Sequence, residues 1–145
     1  MIVDTAGLAQ LHGRVTMVDG GFDPLHPGHI AYFRAAAELG HPVLCNVSGD
    51  DWVGRKHAPL LPQAQRVAVI DALRDIAYVH ASSTTSAEVL ELAKPKVFAK
   101  GGDWRGRLPE DEQEACARNG IEVVFLDTVL DSSTAILERW RGSGA

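Results

Sequence analysis

Residues 14–37 read RVTMVDGGFDPLHPGHIAYFRAAA, and the order of residue types within them decides the fold. Arg14–Asp19 is an apolar-rich run of strand length, and Gly20-Gly21 lets the backbone turn sharply at its end. From Gly28 onward the apolar residues Ile30, Phe33, Ala36 and Ala37 recur at the spacing of one helical face. The unit is strand, glycine turn, helix, with the helix starting near the second histidine.

The same alternation continues outward. Pro42–Val47 (PVLCNV) is too short for a helix and ends in the polar cluster Ser48–Asp51, so it reads as a buried strand. A helix follows from Gln63, with Val67, Ile70 and Leu73 on one face. Ile76–Val79 and Lys96–Ala99 are further strands, separated by a helix over Ser86–Leu92. Pro109–Asn119 is a polar helix closed by Gly120, a residue suited to a left-handed cap, and Ile121–Leu126 is the last apolar strand. Ser132-Ser133-Thr134 supplies N-cap chemistry for a final helix ending near Trp140.

Strands joined by helices predict an α/β fold, a Rossmann-like doubly wound sandwich with a five-stranded, mainly parallel sheet, and residues 1–145 read as a single domain. In such sheets ligands bind beyond the carboxyl ends of the strands. Gly20–His29, Ser48–Lys56, Lys100–Arg107 and Asp131–Thr134 all follow strand ends and are expected to converge there.

Bulk composition narrows the partners. The 145 residues carry a formal charge of −5, which argues against general nucleic-acid binding, since that rests on surplus Lys and Arg. No uninterrupted apolar window is long enough to span a bilayer, and the first residues lack the order of a secretory signal, so no membrane association and a cytoplasmic location are expected. Cys45 and Cys116 are far from any C-x-x-C spacing and read as packed or surface thiols. Phosphate, if handled, must be held by locally placed cations and backbone N–H groups.

His26 and His29 flank a helix start whose free N–H groups favour anions. Phosphoryl and nucleotidyl transfer need in-line positioning and donors aimed at oxygens that gain charge, which two imidazoles beside a helix end can supply. Two histidines so placed also have ordinary explanations, a loop residue and a cap. A zinc site would need a third ligand, and none of His12, His41, His57 and His80 has a spacing that offers one.

Gly20–His29 resembles, without a gap, the G-x-F-D-x-x-H-x-G-H mark of the cytidylyltransferase-like superfamily of nucleotidyltransferases. The likeness runs from Arg14 to Trp140 through Lys56, Arg66, Lys100-Gly101-Gly102-Asp103-Trp104 and Ser132-Ser133-Thr134. It is similar to the small bacterial branch with glycerol-3-phosphate and ethanolamine-phosphate cytidylyltransferases and heptose-1-phosphate adenylyltransferases. The resemblance implies attack of an acceptor phosphate on a nucleoside triphosphate, usually with Mg2+, and release of pyrophosphate. It implies that His26 and His29 stabilise the α-phosphate and the leaving group, that Lys56 bridges acceptor and α-phosphates, and that Arg66 and the Ser132–Thr134 helix start hold the β- and γ-phosphates. Gly20, Gly21, Phe22, Gly28 and Lys100–Asp103 fall on its nucleotide-binding blocks, Asp23 braces the first loop, and Asp103 is the candidate metal ligand.

Trp104 and Arg107 match the cytidylyltransferase pattern G-D-D-W-x-G-K, whereas Lys100–Asp103 equally matches the heptose adenylyltransferases. Leu126–Asp131 lacks the arginine that glycerol-phosphate cytidylyltransferases carry before their serine-threonine helix start. The sequence thus favours CTP narrowly over ATP, with a small phosphate or phosphonate acceptor held by Arg55, Trp104, Arg105 and Arg107. Transfer of AMP to a sugar phosphate and a non-catalytic nucleotide sensor are the alternatives. A homodimer is expected by likeness to relatives.

Overall fold

The computed structural model describes residues 1–127 and 133–142, the side chain of Thr134 excepted. Its strands are β1 (Ile2–Val3), β2 (Thr16–Gly20), β3 (Val43–Val47), β4 (Tyr78–Ala81), β5 (Val97–Gly101) and β6 (Glu122–Leu126). Its helices are α1 (Pro27–Ala37), α2 (Asp50–Val53), α3 (Gln63–Asp71), α4 (Ser86–Ala93), α5 (Glu110–Asn119) and α6 (Ser133–Gly142). All strand pairings among the described residues are parallel, in the order β1-β4-β3-β2-β5-β6.

Five of these strands are the expected ones, and the sixth, β1, pairs Ile2 with Val79 and Val3 with His80 at the sheet edge. Two residues carry no periodicity, so nothing in the sequence marks them as a strand. β4 begins two residues later than the apolar run that predicted it, because Ile76 leaves the ladder and is buried in the core as part of the preceding turn. Gly120 adopts the left-handed conformation (φ 65°) and caps α5, as its position predicts.

The sheet separates two cores, with side chains alternating along each strand. Val18, Cys45 and Val79 meet Phe33 and Ala36 of α1 and Val67 and Ile70 of α3 on one face. Met17, Leu44 and Phe98 meet Leu8 and Leu11 of a 3-10 turn (Ala6–Leu11), Val89 and Leu90 of α4, and Ala115 of α5 on the other. Both cysteines are buried.

One detail of register positions the site. β2 pairs with β3 along its full length, Thr16 to Gly20, but with β5 only at Thr16↔Val97 and Met17↔Phe98. Beyond those residues β2 and β5 part. The chain runs outward in opposite directions from this pair, towards β3 and β4 on one side and β6 on the other, so the opening lies at the switch point of the sheet.

Candidate active site

A cleft of about 390 Å³ opens above the parting of β2 and β5. Its wall includes Gly20 to Asp23, His26, Gly28 and His29 from the first loop and α1. His26 is the N-cap of α1 and Pro27 its first residue, so the helix begins earlier than the apolar spacing alone indicates. Proline costs nothing there, because the first-turn N–H has no intrahelical partner.

The two histidines brace each other. His26 Nδ1 accepts from the Gly28 N–H at 3.1 Å, and His29 Nδ1 accepts from the His26 N–H at 3.3 Å. Their rings stack with centroids 3.7 Å apart. A ring nitrogen that accepts a backbone N–H is unprotonated, so in a neutral imidazole the proton sits on Nε2. Both rings are thereby set as Nε2–H donors. Burial, and secondarily the neighbouring His26, lowers the His29 pKa to about 3, which keeps that imidazole neutral across the physiological range.

Phe22 supports this pair from below. Its ring meets His29 edge-on at 4.9 Å and Phe33 at 5.1 Å. It does so from a left-handed backbone (φ 54°), a conformation that costs a non-glycine residue on the order of 1–2 kcal/mol. Gly21 is glycine for lack of space: a Cβ there would lie 2.9 Å from Val53 Cγ2 of α2. The Asp23-Pro24 peptide bond is cis, and Asp23, 2% exposed, accepts from the backbone N–H groups of Leu60 (2.7 Å) and Leu61 (3.1 Å). It ties the first loop to the segment leading into α3.

Arg66, expected from the resemblance on the β- and γ-phosphates, lies beneath the cleft wall. It is 1% exposed and absent from the cleft wall. Nε donates to Leu61 O, Nη1 to Gly21 O and Ser48 O, and Nη2 to Asp50 Oδ1 at 2.6 Å. The guanidinium is spent on joining three loops, and its ionic partner is Asp50.

The opposite wall is built on β5. Lys100 lines the cleft with its Nζ 2.7 Å from Asp19 Oδ1 and 4.3 Å from the centre of the Trp104 ring. Asp19 also accepts from Ser86 Oγ at 2.6 Å. Gly101, Asp103 and Trp104 line the cleft as well, whereas Gly102 does not. A Cβ at Gly102 would meet the carboxylate end of the exposed Asp127 side chain, which can swing aside, and would lie 3.4 Å from Leu126 O at the end of β6. Lys56 reaches the cleft from the loop after α2, its Nζ 4.6 Å above the Trp52 ring. Ser133, at the start of α6, also lines it, and its hydroxyl donates to Pro24 O. Ser132 lies outside the described residues, as does the side chain of Thr134.

The arginines expected at the acceptor are placed elsewhere. Arg55, Arg105 and Arg107 are exposed and absent from the cleft wall, although Trp104 is part of it. Arg105 lies 3.9 Å from Asp127 and over Phe125 of β6, drawn away by a carboxylate and an aromatic face. Arg107 lies 6.0 Å from the Trp104 ring.

Several lining residues carry no sequence signal. Asp19 reads as the last residue of a strand, and Tyr32, whose hydroxyl donates to Ala99 O at 2.5 Å, as one more apolar helix position. Ser86 reads as a helix start, and Glu112 as one of three acids in the first turn of α5. Trp52 falls in the stretch after the second predicted strand and lies in α2, 36% exposed with Lys56 Nζ over its ring. Among the described residues no group of three or more His, Cys, Asp or Glu gathers to hold a metal ion, so a histidine zinc centre has no ligand set here. No helix among them is long and apolar enough to cross a membrane.

These features define an α/β domain with a ligand cleft at the switch point of a parallel sheet. A family model described as cytidylyltransferase-like matches residues 17–139, and the chain belongs to this nucleotidyltransferase family. Similar curated proteins include a bifunctional protein HldE of Nitrosococcus oceani, 35% identical over 135 residues that cover 88% of this chain and 28% of that protein. Another, from Alkalilimnicola ehrlichii, is 34% identical over 142 residues, covering 93% of this chain and 29% of that protein. The chain thus spans less than a third of the length of these relatives. Among solved structures, a lipopolysaccharide core biosynthesis protein from Thermoplasma volcanium superposes with a TM-score of 0.68 at 24% identity, covering 79% of this chain and 97% of that one. That likeness concerns the fold.

Proposed function

We propose that this domain transfers AMP from ATP to the phosphate of a sugar-phosphate-like acceptor and releases pyrophosphate. The observation that carries the transfer chemistry is the His26–His29 pair, two imidazoles stacked in the cleft wall with both Nδ1 atoms held by backbone N–H groups. The choice of base rests on the relatives. Likeness to the HldE proteins favours adenylyl over cytidylyl transfer and shifts the narrow preference for CTP drawn from Trp104 and Arg107.

In the proposed reaction an ionised oxygen of the acceptor phosphate attacks the α-phosphorus. The bond from that phosphorus to the oxygen bridging the β-phosphate breaks, and pyrophosphate departs with the electron pair. No proton has to leave the nucleophile, so the protein's part is positioning and charge stabilisation. The Nε2–H groups of His26 and His29 donate to oxygens that gain charge, and a His29 that stays neutral donates without surrendering its proton. Lys56, on a loop at the mouth of the cleft, neutralises the approaching phosphate. The dipole of α1, whose start faces the cleft, adds a fixed positive field.

Mg2+ fits the site as an ion that takes most of its ligands from phosphate and water, with Asp103 as a cleft-lining carboxylate able to hold it. Bound there, it would neutralise charge on the triphosphate.

The test is pyrophosphate release with ATP, CTP, GTP and UTP in turn, each with Mg2+ and a panel of sugar 1-phosphates, glycerol 3-phosphate and ethanolamine phosphate. Turnover that needs both triphosphate and acceptor, and is fastest with ATP and a sugar phosphate, is expected. Faster turnover with CTP overturns the base, and no turnover with any pair overturns the transfer.

A further inference from the structure

The cleft has two unlike halves. On the α1 side stand the histidines, Tyr32 and the first loop. On the α4–α5 side stand Asp19, Ser86, Lys100, Trp104 and Glu112. The polar groups of this second half are matched to one another with one exception: Asp19 is satisfied by Lys100 and Ser86, whereas Glu112 Oε1 is sealed from solvent and has no hydrogen-bond partner among the described residues. A carboxyl group left in this state costs free energy in the empty protein and recovers it when a ligand supplies the missing partner.

Trp104 is the one expected acceptor residue that lines the cleft, and it stands in this half beside Lys100. We infer that Glu112 is a specificity residue for the acceptor there, reading a hydroxyl group on a polyhydroxylated acceptor. The inference rests on the nucleotidyl-transfer reading above. Two observations favour a hydroxyl over an ammonium group. The Trp104 face, where a ligand cation would sit, already has Lys100 Nζ 4.3 Å from its centre. That ammonium repels a second one. Moreover, burial and the nearby Asp19, opposed by Lys100 and reinforced by Asp111, lift the Glu112 carboxyl to about 7, so near neutrality much of it is uncharged. An uncharged carboxyl both donates and accepts, which matches a hydroxyl that does the same, while an ammonium only donates.

The reaction needs no base on this side, so Glu112 acts on acceptor binding rather than on the bond-making step. The experiment compares wild type, Glu112→Gln and Glu112→Ala by pyrophosphate release. Acceptors are glucose 1-phosphate, mannose 1-phosphate, their singly deoxygenated analogues and ethanolamine phosphate, and thermal unfolding of each variant checks its folding. For a hydroxylated acceptor that is turned over, Glu112→Ala is expected to raise the acceptor KM about tenfold or more, and Glu112→Gln, which keeps a donor and an acceptor, less than about threefold. The triphosphate KM stays within about twofold. With one deoxygenated analogue the wild type already shows the raised KM and Glu112→Ala adds nothing. Equal losses on hydroxylated and all deoxygenated acceptors overturn the inference, as does a wild type that prefers ethanolamine phosphate and loses that preference in Glu112→Gln. Transfer that proceeds while Glu112→Ala is silent overturns only the role of Glu112, whereas absence of transfer to every acceptor overturns both readings.

Discussion

Lys100 Nζ lies 2.7 Å from Asp19 Oδ1, spanning the gap where β5 and β2 cease to be hydrogen-bonded to each other. Both side chains are under a tenth exposed. Removing either partner leaves a buried charge uncompensated, which typically costs about 3–5 kcal/mol. Asp19→Ala and Lys100→Ala should each lower the midpoint of urea unfolding by that scale. The double variant should recover part of the loss, because the pair as a unit contributes far less than its broken halves. Equal, additive losses would show that the two residues do not interact.

Arg66 offers a sharper contrast between two roles. Its four donor contacts bind Gly21, Ser48, Asp50 and Leu61 together from a site with 1% exposure. Arg66→Ala strands three carbonyls and a carboxylate, so a destabilisation of about 3 kcal/mol or more is expected in thermal or urea unfolding. Arg66→Lys should restore little, since one ammonium cannot replace a planar fork. Weakened triphosphate binding with unchanged stability would instead return Arg66 to a phosphate.

His29→Asn should lower kcat by about a hundredfold, the usual scale for losing one transition-state donor, with triphosphate affinity little changed. Isothermal calorimetry beside steady-state assays separates the two. Asparagine retains the acceptor needed by the His26 N–H, so the start of α1 survives.

Two groups give stability opposite pH slopes. The folded-state pKa of His29 is lowered to about 3, so between pH 6.5 and 3 the unfolded chain binds the extra proton and stability rises with pH, at up to roughly 1.4 kcal/mol per unit. The folded-state pKa of Glu112 is raised to about 7, so from about 4.5 to 7 the folded state holds the extra proton and stability falls with pH. Between about 4.5 and 6.5 the two oppose each other. Relative to wild type, Glu112→Gln should therefore gain stability as pH rises through that window, and His29→Asn should lose it. Urea titrations at three pH values decide the signs, and parallel curves would remove both groups from the balance.

Gly21→Ala places a methyl 2.9 Å from Val53 Cγ2. Overpacking of this kind costs about 1–3 kcal/mol. Val53→Ala added to it should return at least half of the loss in thermal unfolding. No rescue would locate the clash elsewhere.

The sequence carried the fold through its alternation of apolar runs and glycine-closed helices, a signal repeated often enough that small boundary errors left the order intact. It failed at Ile2–Val3, where a strand of two residues has no period. For the site, the Gly20–His29 loop was legible because its residue types and spacing are restrictive in themselves. The placement of Arg66 was not legible, because a basic residue near the start of a helix looks alike whether it faces a ligand or three carbonyls. Only burial distinguishes the cases. The placement of Arg55, Arg105 and Arg107 off the cleft wall carries the same ambiguity, in the exposed direction. Asp19, Ser86 and Glu112 come from β2, α4 and α5, and their meeting is a property of the sheet order that no local pattern contains.

The reciprocal hold between His26 and His29 reaches beyond catalysis. Each imidazole satisfies a main-chain N–H at the start of α1, so a substitution that removes the ring's acceptor unsettles the helix start along with the donor it aims at phosphate. A loss of turnover on replacing either histidine is therefore read together with the stability of α1, and only a variant that keeps the acceptor separates the two.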